Sequence, residues 1–120
     1  GYSHTYEDLA KPNEFKGLKT GWLAFPFIIK KESNIVRKNL QIFLEKKGIQ
    51  TRTIFTGNIL RQPIMKSKFY RKCKDSTINS NNVMKNGILI GCHHGLTNKD
   101  VFYMLSKFDK FFTKFNFKSL

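Results

Sequence analysis

Gly87-Ile-Leu-Ile-Gly-Cys-His-His-Gly-Leu-Thr-Asn-Lys-Asp100 carries a strand, a turn and the opening of a helix without interruption. Gly87 to Cys92 is a short apolar run of the kind that makes a buried strand. His93-His94-Gly95 ends it as a turn. Thr97 with Asp100 three positions on is a capping box. The residues after it, Val101, Met104, Leu105, Phe108, Phe112 and Phe115, fall along one helical face. A strand that leads directly into an amphipathic helix buries both apolar surfaces against one core, so the fold is mixed α/β (α+β).

Upstream, Trp22-Leu-Ala-Phe-Pro-Phe-Ile-Ile-Lys30 is an aromatic and β-branched run, the first core strand, with Pro26 marking an edge or a bulge. Ser33 caps a helix predicted to run to Lys47, with Ile35, Val36, Leu40, Phe43 and Leu44 at helical spacing and Gly48 as its stop. Its outer face carries Arg37, Lys38, Lys46 and Lys47. Ile49 to Phe55 alternates apolar and polar residues and reads as a second strand, with Arg52 on its wet side. A loop from Thr56 to about Met65 follows. The basic stretch through Asn82 has only Phe69, Tyr70 and Ile78 as apolar anchors, and is expected to be partly mobile. These elements predict a small, largely antiparallel sheet with helices packed on one face, spanning residues 21–115. Residues 1–20 read as a polar connector, with a short helical stretch at Tyr6 to Lys11, and residues 116–120 as a basic tail.

The 120 residues suffice for one domain with a real core. Hydrophobic residues make up 40% and aromatics 14%, which excludes a disordered chain. No apolar run approaches the roughly 20 residues that span a bilayer, and a soluble, cytoplasmic protein is expected. Lys and Arg number 22 against 8 Asp and Glu, a net charge of +14, so a polyanion partner has to be weighed. The basic residues are scattered, however, and no ribonucleoprotein or zinc signature accompanies them, which makes nucleic acid the less favoured partner. Cys73 and Cys92 form neither a CxxC pair nor a disulfide framework, and adjacent His93 and His94 do not share a helical face, so no metal site is indicated.

Asn58, Arg61 and Gln62 follow a strand on one loop and offer a carbonyl, two amides and a planar guanidinium within five positions. Gly57 permits the bend and Pro63 stiffens the exit. Such a loop suits a polar, anionic ligand. From the residues alone it suits better a structural turn in which Asn58 bonds its own backbone and Arg61 is solvated. His93 and His94 stand between a strand end and a helix start, where at most one of the two could reach a phosphate or a sugar hydroxyl; a histidine at a strand end is more often part of a hydrogen-bonded turn. Cys92 reads as a small buried hydrophobe. There is no GxGxxG, no phosphate-binding GxxxxGK[ST], no GxSxG elbow and no carboxylate pair placed as a base.

Trp22-Leu-Ala-Phe-Pro26, the Arg37 to Gly48 helix, Gly48-Ile-Gln-Thr-Arg52, Gly57-Asn58 through Arg61-Gln62-Pro63, and Ile90-Gly-Cys-His-His-Gly-Leu-Thr97 occur in an order that resembles the C-terminal part of the DegT/DnrJ/EryC1/StrS sugar-nucleotide aminotransferases. The likeness runs from about Gly21 to Phe112. The Gly-Asn and Arg-Gln-Pro loop looks most like the branch of perosamine synthase-like enzymes and 4-keto-6-deoxyhexose 3-dehydratases of lipopolysaccharide assembly. The resemblance implies a fold type I enzyme dependent on pyridoxal or pyridoxamine phosphate (PLP or PMP). In such an enzyme a large domain holds the cofactor and a small C-terminal domain closes over the sugar nucleotide, within a homodimer. This chain matches the small domain alone. It has no counterpart of the Schiff-base lysine, which is histidine in the dehydratases, and is expected to be inactive by itself. The positions carried over as substrate-binding are Arg52, Asn58, Arg61 and His93, with Arg61 or Arg52 pairing with a carboxylate or diphosphate. The alternative is a non-catalytic basic module that binds nucleic acid or another polyanion.

Overall fold

The computed structural model describes residues 6–13, 15–72 and 77–116, with side chains to residue 114. Four strands, β1 (Leu9–Ala10), β2 (Ala24–Ile29), β3 (Thr51–Arg52) and β4 (Gly87–Gly91), form one sheet in the order β1-β2-β4-β3, with every pair antiparallel. Helices α1 (Arg37–Glu45), α2 (Ile78–Asn86) and α3 (Asn98–Asn116) complete the fold. The small antiparallel sheet with packed helices is the architecture expected from the sequence.

The period of the strands sets the core. Phe25, Phe27 and Ile29 share one face of β2, and the register places Ile90 opposite Phe25 and Ile88 opposite Phe27. On that face Leu40 and Leu44, one turn apart on α1, are fully buried, and Phe108 and Phe112 of α3 join them. Fully burying a side chain such as Leu40 or Ile88 contributes about 1.5–3 kcal/mol, so this cluster is what holds helices and sheet together. Pro26 pairs with Leu89 in an unbroken register, so no bulge forms. Pairing with β1 reaches only Ile28 and Ile29, and Pro26 sits where β2 is an open edge on that side.

Several sequence expectations need correction. The Tyr6 to Lys11 stretch is not helical: Leu9–Ala10 pairs with Ile28 and Ile29, because the edge of β2 offers its backbone groups better partners than one isolated helical turn would. Helix α1 begins at Arg37, not after Ser33; the Ser33 hydroxyl instead accepts the Ile35 N–H in a tight turn that buries Ile35. The second strand shrinks to Thr51–Arg52, since β4 ends its pairing there and Ile54 turns in over Gly87. Phe69, Tyr70 and Ile78 are exposed, not buried in the core. Within the supposed loop, Pro63–Ser67 forms a 3-10 turn and α2 begins at Ile78. Val101 lies at the exposed rim of α3. Cys73, the residue 117–120 part of the basic tail, and the Phe115 side chain lie outside the described residues.

Tyr6 ties the N-terminal segment to α3. Its ring stacks on Phe112 at 4.8 Å, and its hydroxyl donates to the Asp109 carboxylate at 2.8 Å. Burial foremost, then that hydrogen bond and the carboxylate charge, pushes the phenol well above its ordinary pKa. A raised folded-state pKa means that stability is intact below the usual tyrosine value of about 10 and is lost as the pH rises past it. Tyr6→Phe is therefore expected to lessen the fall in stability above about pH 10, read as melting temperature against pH. Identical alkaline slopes in the two proteins would show that Tyr6 is not the group involved.

Candidate functional site

The loop after β3 owes its shape to a small number of backbone constraints. Phe55 has a positive φ of 45° and Gly57 one of 73°, so the chain reverses sharply, and the Gly57 N–H closes the bend onto the Ile54 carbonyl at 3.1 Å. The turn presses Gly57 against Met84 of α2. A 3-10 turn, Ile59–Arg61, follows, capped by the Asn58 side-chain oxygen Oδ1, which accepts the Leu60 N–H at 3.0 Å.

Asn81 of α2 joins this loop to the helix. Its carbonyl oxygen accepts from the Asn58 amide at 2.9 Å and from Arg61 Nε at 3.2 Å. Asn58 is 3% exposed with both ends of its side chain bonded, so its immediate work is to set the loop. Arg61 is exposed, and its Nε bond aims the guanidinium while its remaining N–H groups can meet an anion. Gln62 donates to the Thr56 carbonyl at 3.2 Å and closes the loop on itself. Arg37, read from the sequence as an outer-face residue, instead donates to the Met84 carbonyl at 2.7 Å and reaches the Gly87 carbonyl at 3.4 Å, holding the C-terminal end of α2.

The four sequence candidates do not form one cluster. Asn58 and Arg61 meet through Asn81. Arg52 is exposed on β3 opposite Leu89, on the sheet face away from the α1 and α3 core. His93 lies beyond the other end of β4, whose length of four residue steps is about 13 Å. There His93 is exposed, and its Nδ1 accepts the Gly95 N–H at 3.1 Å, which leaves Nε2 as the outward nitrogen. The adjoining capping box forms as expected: Thr97 donates from its N–H and hydroxyl to the Asp100 carboxylate at 2.8 and 2.7 Å. Those bonds, hydroxyl first, hold Asp100 below the usual carboxylate range. Cys92, half-buried, donates weakly to the Trp22 carbonyl at 3.3 Å. The residue missed by sequence reasoning is Asn81. Its signal was faint, an asparagine inside the polar run Asn79-Ser-Asn-Asn82.

The model of the DegT/DnrJ/EryC1/StrS aminotransferase family matches residues 2–109. The chain belongs to that family. The family match extends upstream of Gly21 into the segment that contains β1. Among relatives, the lipopolysaccharide biosynthesis protein RfbH of Salmonella typhimurium is 34% identical over 112 residues, 93% of this chain and 25% of that protein. GDP-4-keto-6-deoxy-D-mannose 3-dehydratase of Escherichia coli O55:H7 is 36% identical over 75 residues, 62% of this chain and 19% of that protein. The fold of the E. coli GDP-4-keto-6-deoxy-D-mannose-3-dehydratase, solved with bound hydrated PLP, matches with a TM-score of 0.73 and 30% identity over 82% of this chain and 25% of that one. The chain thus spans about a fifth to a quarter of the length of these relatives.

Proposed function

We propose that this chain is the small, substrate-contacting domain of a PLP- or PMP-dependent sugar-nucleotide aminotransferase or 3-dehydratase of surface-polysaccharide synthesis. The observation that carries the reading is the Asn58–Asn81–Arg61 junction, which fixes an exposed guanidinium on a loop within the stretch that the family model matches. RfbH and the 3-dehydratase, proteins named for lipopolysaccharide synthesis and a GDP-sugar, support the substrate class. In this reading Arg61 pairs with the diphosphate or a donor carboxylate, Asn58 positions the loop, and Arg52 and His93 contribute from β3 and from the far end of β4.

The residues in hand do not fit the cofactor. The lysines of the groove between the β2–α1 connection and α2, Lys30, Lys31, Lys38 and Lys85, are exposed and have no aromatic ring in that groove to hold a pyridine ring. When bound, PLP or PMP would supply the carbanion chemistry. Its pocket and the Schiff-base lysine or its histidine replacement belong to a large domain outside these residues, in a cytoplasmic homodimer. Exposed Leu23, at 93%, and Phe55, at 88%, are apolar surface that such a domain or a second subunit would cover.

The test uses the gene product that carries this chain together with the large domain. Arg61→Ala is expected to weaken sugar-nucleotide binding about tenfold to a hundredfold, the loss of one charge-assisted pair, read by calorimetry. An unchanged affinity removes Arg61 from the site.

A further inference from the structure

A second feature lies on the other side of Asn81. A groove of about 790 Å³ runs between the β2–α1 connection and α2. Four exposed lysines line it: Lys30 and Lys31 from the end of β2, Lys38 from α1 and Lys85 from α2. None of the described lining residues is acidic. Glu32, the one carboxylate in this stretch, lines the neighbouring hollow with Glu7 and Asp8.

Cations from three separate elements converging on one concavity repel one another; Lys30 also borders the hollow of Glu7, Asp8 and Glu32, and Lys38 borders one with Glu45, but among the described residues no carboxylate lines the groove itself. A multivalent anion relieves that repulsion. The amides of the groove narrow its chemistry. Asn82 uses its carbonyl oxygen to accept from Asn86 at 2.8 Å, and its amide N–H groups remain as donors beside exposed Asn34. Lysines with amide donors suit phosphate oxygens and sugar hydroxyls. The described lining also has no aromatic ring, so nothing is present to stack a nucleobase.

We propose that this groove is a binding site for a compact, multiply charged phosphate, either free diphosphate or a phosphate carried on a sugar. The site is separate from the Arg61 loop. The two share only Asn81, whose carbonyl oxygen is already taken by Asn58 and Arg61, so the proposal does not rest on the sugar-nucleotide reading.

The test titrates inorganic diphosphate into the 120-residue chain at about 0.1 M salt, where charges more than roughly 10 Å apart are largely screened. One saturable site is expected. The double variant Lys38→Glu with Lys85→Glu should weaken it by at least about tenfold, whereas Lys46→Glu with Lys47→Glu changes net charge equally outside the groove and should leave it within about twofold. Near-ultraviolet circular dichroism of Trp22 verifies that both variants are folded. Competition by a hexose 1-phosphate assigns the sugar-borne source, and diphosphate binding without such competition assigns the free one. Three results would overturn the proposal: no saturation at millimolar diphosphate, equal weakening by both double variants, or a single-stranded oligonucleotide that binds more tightly and displaces diphosphate.

Discussion

Gly57→Ala is expected to destabilise the chain by about 2–5 kcal/mol, the sum of roughly 1–2 kcal/mol for a left-handed alanine and 1–3 kcal/mol for overpacking. The φ of 73° is one that a side chain resists, and an added Cβ would collide with both the backbone and the side chain of Met84. Neither can yield cheaply, because Arg37 grips the Met84 carbonyl and Asn81, one turn earlier, is bonded to the loop itself. Gly48→Ala provides the control. Its φ is 76° but its surroundings are open, so it should cost only about 1–2 kcal/mol. Urea unfolding of both variants measures the difference. Equal losses would mean that loop and helix do not meet as described, and the Asn58–Asn81–Arg61 junction would lose its support.

The second large effect is expected at Phe108. This ring meets Phe27 of the central strand edge-on at 5.6 Å and Tyr6 at 5.8 Å, and it is 5% exposed. Phe108→Ala should cost about 3–5 kcal/mol, a large share of the 5–15 kcal/mol that a domain commonly has. Hydrogen exchange should show faster opening of β1 as well as α3, because Tyr6 packs on Phe108 and Phe112 together. Fast exchange confined to α3 would show that the N-terminal segment is held by its strand pairing alone.

What was legible in the sequence was whatever carried a strong apolar period. Phe25, Phe27 and Ile29 alternate, Leu40 and Leu44 stand four apart, and Phe108 and Phe112 repeat the interval; each set went to the expected element and into the core. The capping box was equally plain. Elements held by backbone pairing or by polar side chains were not. β1 is two residues long and exists because β2 had a free edge, a fact about a partner about twenty residues away. α2 carries little apolar surface and many asparagines, which favour turns when read locally. It is fixed instead by Arg37, Met84 and Asn81, contacts that no local pattern encodes. For the same reason the loop residues Asn58 and Arg61 were recognisable as a pair, while the asparagine that joins them was not.

The sheet's outermost strands, β1 and β3, are each only two residues long. A growing fibril needs a long, straight, unoccupied hydrogen-bonding rim; among the described residues neither outer strand is long enough to give one, and the part of β2 that β1 leaves open carries Pro26, which has no N–H to donate. If copies stick together through exposed Leu23 or Phe55, they should therefore do so as amorphous, detergent-reversible clusters, and a dye specific for cross-β order should remain dark.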